Sequence, residues 1–439
     1  MIRHHPRLRR ALRLLATCVL AVPAALLVAV PAHADAGDYR LTWFDVAEGV
    51  AKDGTTRSYA QVISSVSQDI GRVTLNDVTM SSQGASSCTA GMPSGVSTLC
   101  WSSADNTAEE WIPQGITTSN EGNGGSASRI FATWYDGCSV GVEGSDWGRN
   151  HQGCTTEPAA GSDQAPDKGV RISIYVPGSG YRSVLLVEPF NNSSRNPSYH
   201  ATHMHAGGIA LFGRYLYVAD TTHGMRVFDT QQILDLSRSL NANLPTDYGD
   251  KTKVGRHDGV YYSHGYRWVW PAVGEWRLNG TSDGGFACQG NGNLLKFSYL
   301  SIDRSTSRLT AGEYCNNEPT STSDPARGRV VQWRLGSQSA SSPASGLASG
   351  WAERAFHLPV THVQGAAAVG DTFYFNQSNG TSNGMLYRYQ LNGTSFTAAG
   401  SRSAATGCED LSYDTSTGRL YSQSEYHGMR AIYSVPATF

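Results

Sequence analysis

One short unit recurs along this chain and limits what it can fold into. A corner of small residues leads to a short apolar strand, then a turn, then an aromatic strand; after a polar turn comes a last strand of alternating apolar and polar residues. The copies are IPQGITTS…SRIFATWYDG…GVRISIYVP (112–177), HAGGIALFGRYLYVADTTHGMRVFDT (205–230), HVQGAAAVGDTFYFNQSNGTSNGMLYRYQL (362–391) and CEDLSYDTSTGRLYSQSEYHGMRAIYSV (408–435). A looser copy spans 293–335, and two copies share a literal His-Gly-Met-Arg, at 223–226 and 427–430. Apolar alternation broken by Gly, Asn, Asp and Ser marks strands and tight turns. Helical periodicity is nearly absent; only TQQILDLSRSL (230–240) reads as a helical turn or two, with Ile233, Leu234 and Leu236 as its apolar face.

Small sheets repeated in one internal order, with long insertions between them, predict an all-β β-propeller rather than a β-sandwich or jelly roll. Five copies are visible, and residues 38–100 have strand-like stretches for one or two more. Five to seven blades fit, and a length of about 58 residues per blade favours seven. The predicted organisation is a leader over 1–34 and a single propeller domain over 35–439.

The leader is read from MIRHHPRLRRALRLL, the apolar run that follows and the small residues Ala32 and Ala34, where cleavage is expected. Its removal takes five arginines from the 34 basic residues and none of the 36 acidic ones, leaving a net charge of about −7. No basic cluster stands out, which argues against a nucleic-acid partner. No second span of apolar residues follows, which argues against membrane anchoring. Low charge with 48 glycines and 21 tyrosines suits a secreted, monomeric all-β protein. The cysteine spacings suggest local bridges Cys88–Cys100, Cys138–Cys154 and Cys288–Cys315, each stabilising by about 3 kcal/mol, with Cys408 left as a buried thiol.

In a propeller, a polar residue just before the innermost strand of a blade faces the central channel. Gln114, His203 and His205, His362 and Gln364, and Glu409 with Asp410 occupy that position in four copies. His264, Tyr266 and Arg267 in YYSHGYRWVW (261–270), Arg226 beside His223, and Arg430 beside Tyr426 and His427 are placed in loops of similar depth. Arginine forks suit a carboxylate-bearing sugar, and His and Tyr suit proton transfer at the adjacent carbon. His203, with His205 and His362, is a candidate metal ligand for Zn, Mn or Ca, although no cofactor is required. G-x-S-x-G occurs as GTSDG (280–284) and GTSNG (380–384), but neither stands between a strand pattern and a helix pattern as a nucleophile elbow would, and H-E-x-x-H and Walker sequences do not occur.

With THMHAGGIA (202–210), SHGYRWVW (263–270), THVQGA (361–366) and EDLSY (409–413), the chain resembles secreted β-propeller polysaccharide lyases. The rhamnose–glucuronate lyases are the group within them that it most resembles. The resemblance covers about 110–439 at the level of architecture and rests on short strings. It implies elimination across C4–C5 of a uronic acid at rhamnose–glucuronate ends of arabinogalactan-type glycans. His205 or Tyr266 would serve as base and acid, and Arg267 and His362 would hold the carboxylate. His264 completes the catalytic candidates. Gln364, Arg226, Gln114, Glu409 and Arg430 are the remaining substrate-binding candidates. A propeller glycoside hydrolase using inward carboxylates and a non-catalytic sugar-binding propeller are the alternatives. The unequal corners (Gln, His, Gln, Glu) favour one asymmetric site over several equal ones.

Overall fold

The computed structural model of the chain describes residues 30–31, 34–124, 129–137, 168–280, 288, 294–316 and 328–439. The leader, apart from 30–31 and Ala34, and the Cys138–Cys154 pair lie outside these residues. Among them are five four-stranded antiparallel units; the last strands of the first two units pair in parallel and join them into one larger sheet. Blade one runs Trp111–Thr118, Ile130–Asp136, Val170–Val176 and Gly180–Asn191. Blade two is Ile209–Phe212, Tyr215–Asp220, Gly224–Asp229 and Trp268–Leu278. Blade three is Tyr299–Asp303, Arg308–Gly312, Arg329–Leu335 and Leu347–His357. Blade four is Val363–Val369, Thr372–Asn379, Ser382–Asn392 and Ser395–Thr406.

Blade five takes three strands from the end of the chain, Ser412–Asp414, Arg419–Gln423 and Ala431–Pro436, and its fourth, Ser97–Cys100, from near the beginning. The first strand of each blade touches that of the next, and blade five's touches blade one's, so the ring closes on itself. This is a β-propeller, and closure removes the exposed sheet edges. The Cys88–Cys100 disulfide anchors the strand that completes blade five.

Among the described residues five such units are seen, within the five-to-seven range in which length favours seven. Residues 38–100 build no blade of their own. They contribute Leu41–Phe44, which extends blade two, an α-helix Tyr59–Asp69, and Ile70–Val73. The stretch read as helical, 230–240, is the strand Ile233–Ser239, which pairs with Ile70–Val73 and with Trp268 and Val269. Ile233, Leu234 and Leu236 are all fully buried there, since the insertion is sandwiched and both faces of the strand lose solvent.

Blades pack face to face through aromatic side chains. Trp101, Trp134, Trp268, Trp270 and Trp333 are all about fully buried. The two corner motifs have a packing cause. A Cβ on Gly208 would lie 2.1 Å from Leu300 N in blade three, and one on Gly365 would lie 2.6 Å from Leu411 N in blade five. Only glycine lets neighbouring first strands approach so closely around a narrow channel.

Candidate functional site

All five first strands start at one rim, and the second strands end there. That geometry gathers Gln114 from blade one, His205 from just before blade two, and His362 with Gln364 from blade four. Glu409, from just before blade five's first strand, and Glu425, from just after its second, join them. Cys408 and Ser424 form an isolated antiparallel bridge, and Glu409 N donates to Gln423 O at 3.0 Å. Glu409 and Glu425 are therefore diagonal neighbours on one face of a hairpin, the spacing at which side chains meet across strands.

The charge of Glu425 raises the neighbouring Glu409 carboxyl, so the two hold a proton rather than ionising together. Gln114 Nε2 donates to Glu425 Oε2 at 3.0 Å, and Gln364 Nε2 donates to Glu409 Oε1 at 3.2 Å. Burial pushes the Glu425 carboxyl up to about 7. Burial, reinforced by the charge of Glu425, holds Glu409 well above the usual carboxylate range. Glu425 is 8% exposed and Glu409 1%, so the pair just reaches the channel surface through Glu425.

Tyrosines surround the pair. Burial, and after it the charges of the two glutamates, pushes the hydroxyl of Tyr314 and that of Tyr426 to about 12 and that of Tyr135 well above its ordinary value. All three are therefore protonated near neutral pH. The half-buried His205 ring lies 4.8 Å from the Tyr135 ring, and desolvation pulls its imidazole down to about 4. His205 is thus a neutral base beside a protonated phenol. His362 sits edge-on to Tyr314 at 5.8 Å, held by its own N–H to Cys315 O at 2.9 Å.

Arg430 underlies Glu425 but is committed to backbone. Its Nε donates to Glu425 O at 2.7 Å, and its Nη1 to Ala108 O at 2.6 Å and Asp105 O at 3.1 Å. Burial depresses its guanidinium to about 10, so it remains charged and favours ionisation of Glu425 without offering a free fork. Deeper in the channel, Asp410 accepts from Ile116 N at 3.1 Å and Ile209 N at 3.0 Å, joining blades one, two and five.

The other sequence candidates fall elsewhere. Arg267 makes a two-pronged ion pair with Asp235 on the outer side of blade two, with its side chain 41% exposed. Arg226 is enclosed by Asp220, Glu188 and Glu275 on the third strand of blade two. His264 sits in a turn at φ +50 with Nδ1 3.3 Å from Lys251 O. Tyr266 packs edge-on against Trp111 at 6.2 Å, and Arg171 stacks on Trp111 and Trp134 at 4.7 Å each. His203 is exposed.

Among the described residues, Cys288, Glu313 and Cys315 are the group with metal-ligand spacing. Those cysteines form a disulfide and Glu313 is bound by Arg329, so the donors are taken. His203, His205 and His362 do not form such a group. Tyr135 and Tyr314 were not legible as site residues from the corner motifs. Their signal is position at the end of a second strand, the place Glu425 holds in blade five.

No family model matches the chain. No curated protein matches it. Among solved structures, a tail fibre of Staphylococcus aureus phage P68 is 12% identical with a TM-score of 0.32, covering 85% of this chain and 55% of that one. The chain thus spans about half the length of the tail fibre. The β-propeller domain of Myceliophteria thermophila Cps50 (Swd1) is 11% identical with a TM-score of 0.30, over 75% of this chain and 98% of that one. A putative 6-phosphogluconolactonase from Bacteroides fragilis is 9% identical with a TM-score of 0.28, over 76% of this chain and 79% of that one. Likeness at this level assigns this chain neither an activity nor a ligand.

Proposed function

We propose that the chain is an extracellular carbohydrate-active enzyme, a lyase acting at the rim of the channel on a uronic acid in a glycan. The observation that carries this reading is the neutral His205 against the protonated Tyr135, beside a glutamate pair that holds a proton. His205 takes the C5 proton, and the electron pair left behind forms the C4=C5 bond as the C4–O4 bond breaks. Tyr135 gives its proton to the departing O4. In glucuronate H5 and O4 lie on one face, and two adjacent rings suit a syn elimination.

The substrate carboxylate must be partly neutralised for C5 to lose its proton. With Arg267 and Arg226 facing elsewhere and the Arg430 fork committed, that role falls to the protonated glutamate pair and the amides of Gln114 and Gln364. Protonated carboxylic acids held in apolar surroundings serve as hydrogen-bond donors. The reading therefore requires His205 unprotonated and Glu425 protonated, which gives activity between about 4 and about 7.

Hydrolysis by the glutamate pair is less well supported. Retaining and inverting glycosidases separate their carboxyls by about 5 Å or more to admit a sugar carbon or a water. Glu409 and Glu425 are diagonal neighbours on one hairpin, each bound by a glutamine amide, rather than placed across a sugar from each other. The test is incubation with glucuronate-bearing arabinogalactan: ultraviolet absorbance from an unsaturated uronate supports the lyase. New reducing ends without that absorbance mean hydrolysis, and binding without either product means a sugar-binding propeller.

A further inference from the structure

A second polar cavity, of about 670 Å³, lies on the outer edge of blade one, away from the channel. One wall is the first half of the helix Tyr59–Asp69; the other is the turn that follows the fourth strand, Gly180–Asn191. Lys52, Arg57, Arg195 and Arg256 line it, against a single carboxylate, Asp53. Arg57 is paired with that carboxylate. Four cations gathered in one cavity stand out on a chain whose formal net charge is −2.

The turn is built to present its arginine. Asn192 Oδ1 accepts from Ser194 N at 3.1 Å and Asn196 N at 3.0 Å, fixing the loop that carries Arg195. A buried amide also borders the cavity. Asn191 lines the cavity, is 4% exposed, and its buried Nδ2 makes no hydrogen bond. A buried amide N–H left unpaired is destabilising. Gln61, Ser64 and Asn196 add hydroxyl and amide groups around the same space.

We propose that this cavity is a binding site for an acidic oligosaccharide. Its cations would take the uronate carboxylates, and its amides and hydroxyls would take the sugar hydroxyls. The volume falls in the range of small-ligand sites. The proposal is independent of chemistry in the channel. A glycan chain held there would keep a polymeric substrate near the rim, raising its effective concentration.

The test is isothermal titration of trigalacturonate at low salt into the wild type, Lys52→Glu/Arg195→Glu and Glu425→Gln, with maltotriose and inorganic phosphate as control ligands. The proposal expects the double variant to bind trigalacturonate at least tenfold more weakly, with unchanged turnover of a short substrate and an unchanged unfolding temperature. It expects Glu425→Gln to retain this binding event and maltotriose to give none. Wild-type affinity in the double variant, no trigalacturonate binding to the wild type, or equal binding of maltotriose would overturn it. Binding of phosphate without trigalacturonate would overturn the sugar assignment. Loss of turnover in Glu425→Gln with this binding intact bears on the channel alone.

Discussion

Replacing Glu425 by Gln keeps the size of the side chain and removes its ionisation. In the folded protein burial lifts this carboxyl from 4.5 to about 7. A folded-state value above the unfolded one means that the native state binds more protons between those limits. Stability is therefore fully present below about 4.5 and is lost as pH rises to about 7. At 1.36 kcal/mol per unit, the loss is about 3 kcal/mol across that window. Glu409, Glu121 and Asp410, all raised by burial, slope the same way. The difference between wild type and Glu425→Gln thus isolates the pair. Urea unfolding of both proteins from pH 4.5 to 8.5 should show the wild type losing about 3 kcal/mol more than the variant. Parallel pH profiles would refute the proton-sharing pair.

Three further outcomes follow from the packing and placement of particular residues. Cys88→Ser/Cys100→Ser should lower stability by about 3 kcal/mol in chemical unfolding, because it frees the strand that closes the ring. Gly365→Ala, whose Cβ would lie 2.6 Å from Leu411 N, should cost about 1–3 kcal/mol by the same assay. Arg267→Ala should leave turnover within about twofold of wild type, since its partner Asp235 lies on the outer side of blade two.

The propeller was legible because its most demanding contact is spelled out. First strands crowd one another around the channel, and the HAGG and QGA corners supply the glycine that crowding needs. Local cysteine spacing likewise announced Cys88–Cys100 and Cys288–Cys315, and Cys408 is the buried thiol it left over. Length alone does not count blades, since among the described residues 38–96 and 233–263 decorate blades instead of forming them. Ile233, Leu234 and Leu236 fit a helix face as well as a strand buried on both sides, and pairing with Ile70–Val73 decides between them.

At the site, His205, His362 and Glu409 precede a first strand, and Gln114 and Gln364 lie near the start of one. Gln114, Gln364 and Glu409 meet there, joined by His205 and His362. Arg267 and Arg226 were grouped with them by closeness in sequence to His and Tyr, but they leave the rim on outer strands and find carboxylates there. The weight that Glu425 carries, and the presence of Tyr135 and Tyr314, depend on the second strands returning to the same rim. A single corner motif does not encode that return.

The most direct test of the central claim is the rate at which unsaturated uronate absorbance grows on a glucuronate-bearing glycan near pH 6, for wild type, His205→Ala and Tyr135→Phe. Both variants should keep the wild-type circular dichroism spectrum and fall in rate by about 10²–10⁴-fold. Undiminished rates in both variants, or a wild type that yields reducing ends with no such absorbance, would contradict the proposal that His205 and Tyr135 carry the chemistry.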